Sequence, residues 1–343
     1  MPKGVVFKYA ATNVKPISLL GRLLVDESDI AYTCYPLFHA NALFLTVTPS
    51  LHAGSKLVVD EKFSASRFWD QTRRYGVTTF NGLGAVMPIL MKQPPKANDR
   101  DNPVRFILSA GCPANIWREF EQRFDLKIYE GYGAVDGGAV LLMNLGTAPV
   151  GSMGKPVGAK VRVVDAQGND VADGEQGEMI AYIGNRKDTV EYHENKEATS
   201  DKVRDGWLHT GDLVYHDAKG YMYFVGRNTE SMRVGGENVS ALEVENAMCK
   251  HPDILECAAY AVPSELAEDE IMVTFTALEG KEIGIAGIPA FLADHLAKFA
   301  VPRYYRLVPE LPKTETHRII KKELEKQGLT EDTFDAKKER VSS

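Results

Sequence analysis

The sequence lacks four features that would place it outside the ordinary globular proteins. No apolar run in its 343 residues is long enough to span a membrane, and no signal peptide precedes the first predicted strand. The four cysteines, Cys34, Cys112, Cys249 and Cys257, lack the spacing of metal ligands, which favours reduced thiols in the cytoplasm. The net charge of -7 argues against a nucleic-acid surface. We therefore expect a cytoplasmic protein without a membrane span or a nucleic-acid partner.

The composition that remains is globular, with 44% apolar and 25% charged residues, and the length favours two or three domains. Short apolar runs alternate with helical patterns between residues 30 and 135, which predicts a mainly parallel sheet covered by helices. The predicted strands are Ala31–Leu37, Lys56–Val59, Val77–Phe80, Phe106–Leu108 and Lys127–Tyr129, and the predicted helices are Arg67–Tyr75 and Ala114–Phe124.

Glycines punctuate short strands from residue 140 to 225, such as Lys160–Asp165 and Glu178–Ile183, which indicates a β-rich, barrel-like region. A third region follows Arg227. It contains predicted strands Cys257–Val262 and Ile271–Leu278, a helix with apolar residues from Ile288 to Phe299, and a lysine-rich helix Ile319–Lys326. The predicted division is therefore 1–139 as an α/β subdomain, 140–227 as a β-rich subdomain, 228–330 as a mobile C-terminal domain, and 331–343 as a tail.

The most informative segment is the unbroken run from Gly206 to Glu245. Its first half predicts a strand Trp207–Tyr215, broken at Thr210-Gly211-Asp212, and a returning strand Tyr221–Val225 after a turn at 217–220. Asp212 and Arg227 then lie at strand ends, where polar side chains can meet a ligand.

The second half places Gly235 and Gly236 in a loop where backbone can pass close to another group. Ser240 and Glu243 fit a capping box, which predicts a helix beginning at Ala241. The residues alone leave open a plain hairpin and loop.

In its order of elements this run resembles the ATP-dependent adenylate-forming enzymes, which include acyl-CoA synthetases, luciferases and peptide-synthetase adenylation domains. The wording Gly-Gly-Glu-Asn-Val-Ser is most similar to the crotonobetaine/carnitine–CoA ligase branch. The resemblance implies that a carboxylate is joined to AMP and passed to the thiol of CoA, with ATP, Mg²⁺ and CoA as cofactors. It also implies a partial adenylate-forming N-terminal domain, α/β with a β-rich part, before a small α+β C-terminal domain.

The same resemblance implies a nucleotide site built from separated segments. The loop Ser109–Pro113 would pack on adenine, Tyr132 would stack on the ring, and Asp136 would bind Mg²⁺. Asp212 would accept the ribose hydroxyls, and Arg227 would touch ribose or phosphate. The implied nucleotide residues are Lys3, Gly111, Cys112, Pro113, Tyr132, Gly133, Ala134, Asp212 and Arg227.

Other implied roles concern the acyl group, the thiol and the hinge. His39 would border the acyl pocket, and Asn81–Gly84 and Gly133 would wall it. A histidine satisfied by backbone is the alternative interpretation of His39. Glu230 would be the hinge between domains, and Arg318 would occupy the position of the catalytic lysine. The residues implied to line the thiol tunnel are Gly235, Gly236 and Glu237.

Three departures from the family pattern fall on the adenylation step: the missing phosphate loop, Val135 for Thr and Arg318 for Lys. Only the Pro-Lys-Gly ending of the phosphate loop precedes Val5, and Val135 and Asp136 replace the family's Thr and Glu. His317 and Arg318 replace its Gly-Lys pair, and guanidinium is a wider fork than an ammonium group. We therefore expect either a trimmed chain or a gene that begins at an internal Met, with adenylation near background.

Two other functions stay open from the sequence: a non-catalytic remnant that binds nucleotide or acyl-CoA, and half of a split enzyme. An incomplete sheet would leave apolar surface and a free strand edge, so we also expect a homodimer through residues 1–130.

Overall fold

The computed structural model describes residues 4–6, 24–83, 86–134, 139–184, 191–234, 237–264, 269–314 and 318–339. The chain forms two compact units, Met1–Phe224 and Val225–Ser343. The strands of the first unit are β1 (Ile30–Thr33), β2 (Lys56–Val59), β3 (Thr79–Leu83), β4 (Phe106–Ala110), β5 (Lys127–Ala134), β6 (Ala139–Asn144), β7 (Lys155–Pro156), β8 (Lys160–Val164), β9 (Gly177–Tyr182), β10 (Val203–Arg204) and β11 (Trp207–His216), and β12 (Met222–Arg227) begins in it. The strands of the second unit are β13 (Ser231–Val234), β14 (Glu237–Ser240), β15 (Ile254–Pro263), β16 (Asp269–Ala277), β17 (Tyr304–Leu307) and β18 (Phe334–Asp335).

The described α-helices are short. They are α1 (Ala40–Ala42), α2 (Thr48–Ala53), α3 (Phe68–Tyr75), α4 (Val86–Met91), α5 (Ala114–Phe124), α6 (Lys196–Lys202), α7 (Ala241–Met248), α8 (Ile288–Ala293), α9 (Lys321–Gln327) and α10 (Ala336–Glu339). A π-helix, Leu43–Val47, joins α1 to α2, and 3₁₀ turns lie at Asn228–Glu230, Ile285–Gly287 and Lys298–Ala300. Within the described ranges, no helix combines the length and the apolar character needed to cross a membrane.

A mixed sheet forms the centre of the first unit, in the strand order β2-β1-β3-β4-β5-β6-β7. The pairs from β2 to β5 are parallel, and β6 and β7 are added antiparallel. Apolar side chains of α3 and α5 cover one face, where Trp69 and Phe124 stack with ring centroids 4.2 Å apart. The predicted α/β sheet with covering helices is therefore confirmed.

The second sheet of this unit is antiparallel, in the order β10-β11-β9-β8 with β12 beside β11. Its core side chains Met179 and Val214 pack with Leu142 of the first sheet. The sequence predicts a strand broken at Thr210, but β11 runs on to His216. The pairing register with β9 shifts between His209 and Leu213, and a bulge of this kind bends a strand without ending it.

The second unit contains the hairpin β13–β14 and a sheet in the order β15-β16-β17-β18. Helix α7 begins at Ala241 as predicted, but the predicted capping box is wrong. Ser240 makes no side-chain bond to the helix, because its hydroxyl donates to the carbonyl of Val225 at 2.6 Å. A Cβ on Gly226 would lie 2.8 Å from that hydroxyl, so glycine leaves room for this contact.

The helix predicted to carry apolar residues from Ile288 to Phe299 is also shorter than expected. Helix α8 ends at Ala293, and Ala297 adopts an extended ψ of 148° before a 3₁₀ turn. Ile288 and Leu292 are buried in the core, whereas Phe299 is 45% exposed. The apolar spacing therefore extended beyond the residues that form the helix.

Candidate functional site

A buried glutamate fixes the loop that follows β4. Glu130 is only 4% exposed and accepts the backbone N–H of Gly111 at 2.5 Å and that of Cys112 at 3.2 Å. Strand pairing places Ser109 beside Glu130, so the carboxylate lies under the loop it binds. Burial raises the pKa of Glu130 to about 7, although the N–H groups of Gly111 and Cys112 act in the opposite direction.

Two residues further along the same strand, Tyr132 reaches the second sheet. Its hydroxyl donates to the carboxylate of Asp212, which is 8% exposed. The structure thus brings together the loop at Gly111–Cys112, the strand residue Tyr132 and the bulge residue Asp212. Gly133 lies where the pairing of β5 with β6 shifts register, directly after Tyr132.

The Thr210-Gly211-Asp212 bulge is held by the neighbouring strand β9. Glu178 accepts the N–H of Gly211 at 3.0 Å, and its other oxygen lies 2.9 Å from Nδ1 of His209. The hydroxyl of Thr210 donates to the Met179 carbonyl at 2.6 Å and accepts the N–H of Asp212 at 3.1 Å. Gly211 has a φ of +76°, which glycine adopts without strain. Asp212 is therefore presented on a rigid support.

The sequence interpretation missed Glu130 and Glu178 as supports. Glu130 carried a usable signal, because its carboxylate directly follows the predicted strand Lys127–Tyr129. Glu178 carried none, since it lies on a separate strand, 31 residues before His209.

The segment around His39 is held by backbone contacts. Nδ1 of His39 accepts the N–H of Asn41 at 3.2 Å and caps α1, which leaves the ring proton on Nε2 in the neutral form. Burial lowers the pKa of His39, so this neutral form is favoured. The alternative of a histidine bonded to backbone is therefore present in the structure.

Two hydrogen bonds join this segment to β3. The N–H of Leu83 donates to the hydroxyl of Tyr35 at 2.9 Å, and the side-chain amide of Asn81 donates to Thr46 at 2.7 Å. Thr46 lies in the π-helix, a distortion that is frequent at functional sites. The predicted pocket residues His39 and Asn81 therefore belong to one bonded region.

The second unit holds a chain of alternating charges. Nζ of Lys321 lies 2.8 Å from Glu230 and 2.8 Å from Glu245. Glu230 also pairs with the Arg318 guanidinium at 3.3 Å, and Glu245 accepts the N–H of Ala259 at 2.8 Å. These contacts run from a core strand to the predicted hinge residue Glu230 and the predicted catalytic residue Arg318.

The charged groups of this ion-pair network shift one another's pKa values. Burial alone would raise the pKa of Glu230, but Lys321, Arg318 and Arg227 lower it below its usual range. Burial would lower the pKa of Lys321, but Glu245 and Glu230 raise it. For Glu245 burial prevails, and its pKa is raised. Lys321 therefore stays charged.

Some predicted site residues lie outside the described residues: Lys3, Asp136, Gly235 and Gly236, with Val135 and His317. Pro113 precedes α5 in an extended conformation, Ala134 ends β5, Arg227 ends β12, and Glu237 begins β14. Across the described ranges, no group of three or more His, Cys, Asp or Glu could hold a metal ion.

Comparison with known proteins identifies the family. The AMP-binding enzyme family matches residues 1–183, and the AMP-binding enzyme C-terminal domain matches residues 243–318. The chain therefore belongs to the AMP-binding, or adenylate-forming, enzymes, and the resemblance in its motifs is confirmed.

Two curated relatives illustrate the similarity. The medium/long-chain-fatty-acid–CoA ligase FadD17 of Mycobacterium marinum is 31% identical over 332 residues, which cover 96% of this chain and 65% of that protein. The crotonobetaine/carnitine–CoA ligase of Salmonella paratyphi C is 31% identical over 334 residues, which cover 94% and 64%. The chain thus spans less than two thirds of the length of these relatives.

A solved structure supports the fold. The anthranilate CoA ligase AuaEII in complex with anthranoyl-AMP superposes with a TM-score of 0.80 and 25% identity, covering 92% of this chain and 63% of that one. The predicted fold class, an adenylate-forming N-terminal part followed by a small C-terminal domain, is therefore confirmed.

Proposed function

We propose that this chain carries acyl-CoA ligase chemistry, in which ATP, a carboxylic acid and CoA give acyl-CoA, AMP and pyrophosphate. The carrying observation is the convergence of the Glu130-bound loop, Tyr132 and Asp212 in one unit of an AMP-binding enzyme fold. The relative crystallised with anthranoyl-AMP supports an acyl-adenylate as the intermediate.

The residues of the first unit would bind and orient the nucleotide. Tyr132 would stack on adenine while its hydroxyl fixes the orientation of Asp212, whose carboxylate would accept the ribose hydroxyls. Glu130 would keep the loop at Gly111–Cys112 in place against the ring. A pre-oriented site of this kind removes the cost of ordering the ligand's partners during the reaction.

The first half-reaction joins the acid to AMP. A carboxylate oxygen would attack the α-phosphorus of ATP, and the bond to the pyrophosphate oxygen would break. Arg318 would approach the negative charge that develops, which is the largest contribution to such a step. Mg²⁺ would neutralise phosphate charge when bound, and Asp136, its proposed ligand, lies outside the described residues.

The second half-reaction passes the acyl group to CoA. The CoA sulfur would attack the acyl carbon of the adenylate, and AMP would leave. The loop before Glu237 would line the thiol path, and a hinge close to Glu230 would bring it to the site. The division of the chain at Phe224 and Val225 supports a hinge in this region.

The experiment separates the two half-reactions. ATP–pyrophosphate exchange measures adenylation, and thioester formation from a presynthesised acyl-adenylate and CoA measures transfer. Arg318 stands in place of lysine and is already paired with Glu230. The rate of exchange is therefore expected to be lower by roughly 10² to 10³ than with a well-placed lysine, a loss of about 3 to 4 kcal/mol. The rate of transfer should fall less. Robust exchange by the unmodified chain would show that this reading of Arg318 is wrong. Absence of both reactions would overturn the proposed ligase.

A binding remnant is the second candidate function. It is favoured by one observation, the engagement of Arg318 by Glu230 within the second unit. Calorimetric binding of AMP or CoA without either half-reaction would support it.

For the acyl group we propose a class of acid and not one compound. The relatives act on fatty acids and on crotonobetaine or carnitine, and the Gly-Gly-Glu-Asn-Val-Ser wording supports a crotonobetaine- or carnitine-like acid. A panel of adenylates that covers both classes, compared by rate of thioester formation, would decide between them.

Two proposals concern the arrangement of the chain. Trypsin should nick the hinge after Arg227, and resistance of the segment 200–260 would count against the hinge.

A homodimer through residues 1–130 is supported by the exposed side chains of Phe38 and Leu51, both 76% accessible. A monomer by light scattering across micromolar concentrations would contradict it.

A further inference from the structure

Two cysteines of the second unit meet at one backbone carbonyl. The sulfur atoms of Cys249 and Cys257 lie 3.7 Å apart. The N–H of Cys249 donates to the carbonyl of Glu245 at 2.9 Å, and the thiol of Cys257 donates to the same oxygen at 3.6 Å. One carbonyl oxygen therefore binds both the backbone of Cys249 and the thiol of Cys257.

The two sites differ in accessibility. Cys249 is the C-cap residue of α7 and is partly exposed, whereas Cys257 lies on β15 and is 6% exposed. An oxidant from solvent can reach Cys249 first, and Cys257 is then placed to react with it. This is the arrangement of an attacking and a resolving thiol.

We propose that Cys249 and Cys257 form a modification site, a dithiol that peroxide converts reversibly into a disulfide. The inference is independent of the proposed ligase function, because it concerns only these two side chains and their elements.

The proposed steps balance. The Cys249 thiolate attacks one peroxide oxygen, the O–O bond breaks, and Cys249 becomes a sulfenic acid as the first water leaves. The Cys257 sulfur then attacks the Cys249 sulfur, the S–O bond breaks, and the second water leaves. One peroxide is reduced to two waters while the two thiols lose two electrons and two protons. Bond formation requires the sulfurs to close to about 2.0 Å.

The other two cysteines provide an internal control. Cys34 and Cys112 are both buried in the core of the first unit. Burial raises the pKa of Cys34 to about 12 and also raises that of Cys112, so both stay protonated and unreactive. They should remain alkylatable after denaturation at every peroxide dose that joins the other pair.

The test is a peptide map of the full chain after treatment with hydrogen peroxide up to millimolar concentration. Trypsin cleaves after Arg233, Lys250 and Lys281, so Cys249 and Cys257 fall in separate peptides, residues 234–250 and 251–281. The expected product is one species containing both peptides, which dithiothreitol separates. Thiols that persist at both positions, or oxidation of Cys249 to a sulfinic acid without the cross-link, would overturn the proposal.

Two variants sharpen the result. In Cys257→Ser, Cys249 should accumulate as a sulfenic acid that dimedone traps. In Cys249→Ser, Cys257 should remain a thiol because solvent does not reach it. Dimedone labelling of Cys257 in the second variant would contradict the assigned order of attack.

A second measurement tests whether the disulfide forms without distorting the native fold. The disulfide would tie the end of α7 to β15, so the oxidised chain should melt at a higher temperature than the reduced chain. Dithiothreitol should remove this shift, and Cys249→Ser should not show it. A lower melting temperature on oxidation would mean that the bond forms only by distorting the unit, against the proposal.

Discussion

The two units stabilise carboxylates in opposite ways. In the first unit, Glu130 is surrounded by neutral partners and accepts two backbone N–H groups. In the second unit, Glu230 and Glu245 share a charged partner, Lys321, whose side chain is 17% exposed. Burial raises the pKa of Glu130 to about 7 because neutral donors offset it only in part, whereas opposite charge keeps Glu230 ionised. The first arrangement fixes backbone, and the second fixes a charged segment.

The largest expected effect comes from removing the shared cation. Lys321→Met leaves Glu230 and Glu245 without their common partner and should lower the free energy of unfolding by about 3 to 5 kcal/mol. Chemical denaturation at neutral pH measures the loss. Lys322→Met, an exposed neighbour on the same helix, is the matched control and should change stability little. Equal losses in both variants would show that the charge chain contributes nothing specific.

A smaller effect is expected where the two sheets meet. Tyr132→Phe removes the hydroxyl that donates to the Asp212 carboxylate and should cost about 1.5 to 3 kcal/mol of stability. AMP affinity should fall in the same variant, because Asp212 loses its fixed orientation. Tyr129→Phe, on the same strand and stacked on Phe106, is the control. If AMP binding and stability are unchanged in Tyr132→Phe, the bond has no role in the site.

The pH dependence of stability tests the neutral environment of Glu130. A raised carboxyl pKa means that the native state binds the extra proton between the ordinary value and about 7. Wild-type stability should therefore fall as pH rises through this window. Glu130→Gln should lack this fall, because its amide does not titrate.

Urea unfolding at about pH 5 and about pH 8 measures the difference. Glu119→Gln, at an exposed position on α5, should keep the wild-type slope. A parallel decline in Glu130→Gln and wild type would place the titrating group elsewhere.

The smallest effect is expected at the exposed end of the charge chain. Arg318 is 59% exposed, and Arg318→Gln should lower stability by no more than about 1 kcal/mol, less at high salt. A loss as large as that of Lys321→Met would mean that the whole chain of charges acts as one unit. The comparison of the two variants is made by denaturation in low and high salt.

Local patterns predicted much of this fold. Helix α5 was predicted with its observed bounds, Ala114–Phe124. Its apolar residues Trp117, Phe120 and Phe124 are all buried on the face that their spacing defines. The strand β2 was also predicted with its observed bounds. Such elements depend on a periodicity that neighbouring residues carry themselves.

The supports of the candidate site could not be predicted in the same way. Lys321 meets Glu230 across 91 positions of sequence, and Tyr132 meets Asp212 across 80. The capping prediction at Ser240 failed for the same reason, since a carbonyl 15 residues away competed for its hydroxyl. Motif resemblance located Tyr132 and Asp212, but only the folded chain shows which residues hold them.

The bond between Tyr132 and Asp212 has one further consequence. Tyr132 belongs to the mainly parallel sheet and Asp212 to the antiparallel one, so this hydrogen bond joins the two sheets at the place where a nucleotide is proposed to lie. Thermodynamic reciprocity then requires that, if AMP binding strengthens the packing of the two sheets, the packing of the sheets strengthens AMP binding by the same factor. Slower amide hydrogen exchange in β5 and β11 on adding AMP would make the ligand a reporter of sheet cohesion.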